Sequence, residues 1–177
     1  IVHAYFPGVR RPVDLHVAAV SDDADIAVLA GPVPPGRQPL KLAPASRTGR
    51  TGDPIVVVGY PTGLDALLAK LSVQAAQELI ASVENSHDPA QVADALARRH
   101  AIAPLVTMGH IGDVVENNIV YDAATTYGGS GGPVLDASGE VIALNYALLD
   151  NFAGAKFGIP IRFVHELLRA KRIGQTP

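Results

Sequence analysis

Tyr127-Gly128-Gly129-Ser130-Gly131-Gly132-Pro133-Val134 is the stretch on which the reading of this chain turns. A serine with two glycines on each side suits a tight, exposed turn, because glycine adopts backbone conformations closed to other residues. Acyl transfer needs such a turn: backbone N–H groups must aim at a developing oxyanion while a hydroxyl attacks. On this reading Ser130 is the nucleophile. The N–H groups of Gly128 and Ser130, with Gly129 between them, outline the oxyanion hole. Taken alone, the same residues also read as a glycine-rich hairpin turn without chemistry.

Outward from that turn the pattern is β. Downstream, strands near 133–136 and 140–146 are joined as a hairpin by Asp136-Ala137-Ser138-Gly139. Phe157 to Ile161 gives one more strand, and Phe163 to Arg172 a closing helix. Upstream lie strands near 105–108 and 118–121. Val13-Asp14-Leu15-His16-Val17 alternates as a half-buried strand does, and Ile26-Ala27-Val28-Leu29 is a short apolar run after the acidic turn Ser21 to Asp25. Pro32, Pro34, Pro35 and Pro39 mark a loop. Ile55 to Val58 reads as a buried strand stopped by Gly59 and Pro61. Between these strands, Leu64, Leu67, Leu68, Leu71, Ala75, Leu79 and Val83 follow helical spacing. Asp88-Pro89 caps and opens a second helix over roughly 89–100, and Pro104 ends the segment. The expectation is a helical hairpin, 64–103, set into an otherwise β chain.

Bulk properties narrow the function. The 177 residues, 48% of them hydrophobic, fit one compact domain with a sizeable core. A net charge of -3 and scattered basic doublets argue against a nucleic-acid partner. No apolar run reaches the roughly 18 residues of a membrane span, and the first residues lack a signal-peptide pattern. The start at Ile1, not Met, reads as that of a processed or truncated product. Cysteine is absent, which excludes disulfides and thiol chemistry and leaves the compartment open. The six histidines show no metal-ligand spacing, so neither a metal nor another cofactor is expected.

The segment Gly128 to Asp136, followed by Gly139-Glu140-Val141-Ile142-Ala143-Leu144-Asn145, strongly resembles the serine segment of trypsin-like peptidases, nearest the cysteine-free bacterial HtrA/Deg branch. Asp25-Ile26-Ala27-Val28-Leu29 resembles the family's aspartate segment, and Gly59-Tyr60-Pro61-Thr62-Gly63 and Thr107 to Ile111 match two further segments in order. The resemblance implies an all-β, two-barrel fold and a polypeptide substrate cut through an acyl-enzyme on Ser130. Residues 1–45 would be the remainder of an incomplete N-terminal barrel, and 46–172 a C-terminal barrel carrying the insert. Asp25 would orient the catalytic histidine, which precedes the aspartate in this family. An aspartate that merely opens a strand is the alternative.

That histidine is not found where the family has it. His3 and His16 are the only candidates before Asp25, and both read as surface residues of strands. Two explanations stand: the base lies upstream of Ile1, or the domain binds peptides without cutting them. Insertion of an Ile1 terminus beside the serine is disfavoured, because Gly129 occupies the position where the required aspartate would stand.

By resemblance, Tyr121 to Tyr127, with Thr125 as a wall, line the primary specificity pocket, and Asn145, Tyr146 and Ala147 form the edge that pairs with substrate. Asp122 reads either as a selector for a basic residue or as a backbone cap. The insert 64–103 reads as a lid or partner-docking element, or as an inert insertion. A peptide-sensing PDZ-like tail would lie outside these residues, and the bacterial relatives' habit is extracytoplasmic.

Overall fold

The computed structural model describes residues 1–60, 71–83, 89–125, 128–148 and 155–171. Among the described residues nine strands and three helices follow in the order β1 (Val2–Ala4), β2 (Val13–Val20), β3 (Ala27–Ala30), β4 (Pro54–Gly59), α1 (Val73–Val83), α2 (Pro89–Arg98), β5 (Leu105–Val115), β6 (Asn118–Tyr121), β7 (Pro133–Leu135), β8 (Val141–Leu148), β9 (Lys156–Pro160) and α3 (Ile161–Ala170). The last six strands, β4 to β9, close on themselves in the order β4-β5-β6-β9-β8-β7, every pairing antiparallel. Closure leaves no free edge around the ring. Alternate residues of these strands, among them Ile55, Val57, Ile119, Tyr121, Val134 and Ile142, fill the interior. The fold is thus mostly β with one closed six-stranded barrel.

β1, β2 and β3 form a separate, open three-stranded sheet. It leans on the barrel through Ala19 and Ile26, which pack with Ile159 of β9 and Leu167 of α3, flanked by Val28, Tyr146 and Phe163. Its other face carries Val17, Val20 and Leu29, exposed by 53%, 55% and 41%, an unusual state for β-branched and aliphatic strand residues.

Element boundaries differ from the sequence reading for identifiable reasons. β5 runs to Val115 and not to 108 because its two glycines do not break it. Gly109 is small because a Cβ there would strike Asp122, and Gly112 sits at the bulge between Ile111 and Asp113. α3 begins at Ile161, directly from Pro160 of β9. Ile161 is buried and apolar, so by composition it reads as strand.

α1 starts one residue after Ser72, whose Oγ accepts the Ala75 N–H at 3.3 Å in the manner of an N-cap. Leu64, Leu67 and Leu68 lie outside the described residues. α2 ends at Arg98, where His100 takes a left-handed conformation (φ 55°) and the Ala101 N–H reaches back to the Leu96 carbonyl. The two helices bury their own cluster of Leu79, Ala95, Leu96 and Ala101, distinct from the barrel core. Tyr5, just past β1, donates to Asp94 of α2 at 3.0 Å and links the helical pair to the open sheet. Among the described residues no helix is long and apolar enough to cross a membrane.

Candidate active site

Ser130 lies exposed in the loop between β6 and β7, flanked by Gly128 (φ 89°) and Gly131 (φ 82°). Both glycines sit in the left-handed region that side chains resist. Gly132 has a different reason to be glycine: a Cβ there would run into the Val58 carbonyl oxygen of β4. Gly59 likewise lies against Gly129, whose Cα would be 3.1 Å from an added Cβ. The turn therefore presses its backbone onto the end of β4 and leaves the serine outward. The space enclosed there by Val57, Gly59, Thr107, Thr125 and Gly129 is only about 10 Å³, too small for a side chain.

The turn is tied to β8 on both sides of Gly131. The Gly131 N–H donates to the Asn145 carbonyl at 2.7 Å, and the Asn145 N–H donates to the Gly132 carbonyl at 2.8 Å. The Gly132 N–H closes back on the Gly129 carbonyl at 3.0 Å. Among the described residues, no acceptor takes the N–H of Gly128, Gly129 or Ser130. Backbone donors left open beside a free hydroxyl can hold an oxyanion.

The Ser130 hydroxyl donates to the Tyr146 carbonyl at 3.2 Å. A register shift between Asn145 and Ala147 makes Tyr146 the extra residue of a bulge, which re-aims its backbone. The Tyr146 side chain packs against the cluster of Ala19, Ile26, Ile159 and Leu167, and Ile26 of that cluster is next to Asp25. Tyr146 thus bonds the Ser130 turn through its carbonyl and packs through its ring against the cluster that includes Ile26. The Asp25 carboxylate is exposed, and no side chain or amide among the described residues bonds it.

The histidines stand elsewhere. His3 Nδ1 meets Asp14 Oδ1 at 2.8 Å across the β1–β2 pair, and His16 is exposed on β2. His165 Nε2 bonds the Ala43 carbonyl at 2.8 Å, while His100 and His110 lie on the surface. His87 lies outside the described residues.

In the pocket region the assignment of Tyr121 changes. Tyr121 does not line a pocket; it is 1% exposed inside the barrel, and burial pushes its phenol well above the ordinary tyrosine range. The alternation Ile119–Tyr121 along β6 carries that signal. Asp122 caps backbone, one of the two readings open to it: its Oδ1 accepts the His110 N–H at 2.6 Å. Asn145 lies in β8 with its backbone bonded to Gly131 and Gly132, and its buried side chain bonds Tyr121 and Thr125. Thr125 is half-buried, and Ala147 is in β8. Thr107, which the sequence did not mark for a role here, donates to the Ala124 carbonyl at 2.6 Å across a gap of 17 residues that no local pattern reveals.

Comparison with known proteins places this geometry in a family. The protein designated serine protease HhoA of Synechocystis sp. is 29% identical over 158 residues, covering 85% of this chain and 32% of that protein. The chain thus spans about a third of that relative's length. Among solved structures, the active form of the Rv3671c protease from M. tuberculosis superposes with a TM-score of 0.63 at 21% identity, covering 94% of this chain and 61% of that one. The serine endoprotease from Yersinia pestis gives 0.59 at 20% identity, over 93% of this chain and 47% of that one. At such identities these two likenesses are of fold. Residues 6–144 match the trypsin-like peptidase domain, well over half of the sequence, and the chain belongs to that family.

Proposed function

We propose that this chain carries the nucleophile of a serine endopeptidase. Ser130 Oγ attacks a peptide carbonyl, its proton passes to a histidine, and the carbonyl oxygen becomes an oxyanion. The N–H groups of Gly128 and Ser130, framed by Gly129, hold that oxyanion. The histidine then returns the proton to the departing amine, leaving an ester on Ser130 that water hydrolyses by the same path. Asp25 orients the histidine, which sequence preceding Ile1 supplies. Of the edge 145–147, substrate pairs as an extended strand beyond Asn145, whose backbone the turn already occupies.

The observation that carries this reading is the exposed Ser130 hydroxyl between two left-handed glycines, beside backbone donors that no described residue accepts. The open carboxylate of Asp25 supports it, as does the uncovered outer face of the open sheet. The hydroxyl now rests on the Tyr146 carbonyl, so attack requires the base to draw it away.

A second reading, a domain that binds peptides without cutting, draws on one fact: among the described residues no imidazole bonds Ser130. A fluorophosphonate probe on the full-length protein separates the two, because only an activated hydroxyl reacts. Labelling that disappears in Ser130→Ala is expected. Absence of labelling in the folded full-length protein would sink the enzyme reading.

A further inference from the structure

The serine turn is held from behind by three side chains that no part of the proposed chemistry uses. Tyr121 is sealed in the barrel, and its hydroxyl donates to Asn145 Oδ1 at 2.6 Å. The Asn145 side-chain amide donates in turn to Thr125 Oγ1 at 3.3 Å. The backbone of the same Asn145 makes both ties to Gly131 and Gly132. One residue, 3% exposed, thus joins the barrel interior, the segment before the turn and the turn itself. Thr107 fixes the preceding carbonyl, that of Ala124, so the segment leading into Thr125 is fastened on both flanks.

A buried amide with both ends engaged has one low-energy orientation, because leaving either end unpaired costs the full desolvation of that group. We propose that Tyr121, Asn145 and Thr125 are positioning residues: acting through Asn145, they set the spacing between the segment at Thr125 and the backbone donors around Ser130. The proposal rests on the reading of Ser130 as nucleophile for its catalytic consequence. Its structural half stands alone.

Thr125 offers the cleanest variants, since it is half-buried and its isosteres keep its shape. In the full-length protein Thr125→Val removes the acceptor at constant volume, and Thr125→Ser restores it. Loss of one hydrogen bond of about 1 kcal/mol corresponds to roughly fivefold in rate. Fluorophosphonate labelling of Thr125→Val is therefore expected to slow about fivefold, with Thr125→Ser within about twofold of wild type. Labelling of Thr125→Val at the wild-type rate overturns the proposal. Hydrogen exchange at the Gly131 and Gly132 amides reads the turn directly, whatever Ser130 does. Faster exchange in Thr125→Val alone supports positioning, and unchanged protection in that variant overturns it. Wild-type protein that fails to label refutes the nucleophile reading and leaves the exchange result to decide the positioning.

Discussion

Gly131 and Gly132 stand side by side after Ser130 and are glycine for opposite reasons. An added Cβ at Gly131 meets nothing within 4 Å, so Gly131→Ala suffers only the strain of its positive φ, about 1–2 kcal/mol. At Gly132 the obstacle is the backbone carbonyl of Val58, which cannot swing aside as a side chain can. Gly132→Ala is expected to lift the turn off β4 and lose more stability than Gly131→Ala in urea titrations. A smaller loss at Gly132 would show that the turn does not press on β4. Asp122 makes a second contrast. Asp122→Asn keeps the oxygen that caps the His110 N–H and removes the charge. Peptide-library profiling of the full-length protein should find its preference for the residue before the cut unchanged; a lost preference for basic residues would restore Asp122 as a selector. Both glycine doublets were legible in the sequence as a turn. Which glycine faces open space and which faces β4 was not, because the answer depends on a strand about seventy residues earlier in the chain.

The hairpin between β7 and β8 shows how an element carries its own pH limit. Its turn is organised by Asp136, whose Oδ1 accepts the Ser138 N–H at 2.9 Å, the Ser138 hydroxyl at 2.6 Å and the Glu140 N–H at 3.0 Å. Arg47 adds a contact at 3.2 Å to Oδ2 and also pairs with Glu140. Burial pushes the Asp136 carboxyl upward, but the bonds from Ser138, Glu140 and Arg47 together outweigh it and hold the group below its usual value. A depressed folded-state value means that the charged form is favoured by folding. Its stabilisation is therefore present above the unfolded value near 4 and is lost as pH falls through the folded one. Asp136→Asn should lower the denaturation midpoint at neutral pH and narrow the gap from wild type at about pH 3. A gap that stays constant from pH 7 to 3 would mean that the carboxylate charge contributes nothing. The Asp-Ala-Ser-Gly pattern announced this turn because the bonds that Asp136 makes to Ser138, Gly139 and Glu140 are local. The tie from Arg47 was invisible, since it arrives from a loop 89 residues away.

For the whole molecule, the proposed relation is between Asp25, just before β3 of the open sheet, and Ser130, in the barrel loop between β6 and β7. Sequence order suggested that they cooperate, yet no periodicity brings them together; only packing between the open sheet and the barrel can. That contact is narrow. Ile26, next to Asp25, belongs to the cluster against which Tyr146 packs, and the Tyr146 carbonyl receives the Ser130 hydroxyl. Ile159 and Leu167 complete the cluster from β9 and α3. If this patch sets the placement of Asp25, trimming it should harm the serine more than an equal loss of core elsewhere. Ile26→Ala is expected to cost about 2–4 kcal/mol, the range for a buried aliphatic side chain, and to slow fluorophosphonate labelling of the full-length protein. Leu79→Ala supplies the comparison, because Leu79 is fully buried in the separate cluster of the helical pair. It should cost a similar amount in that pair while labelling of Ser130 stays near the wild-type rate. Equal slowing in both variants would show that labelling follows general stability. Slowing confined to Ile26→Ala would place the link between the two sheets in the cluster around Ile26.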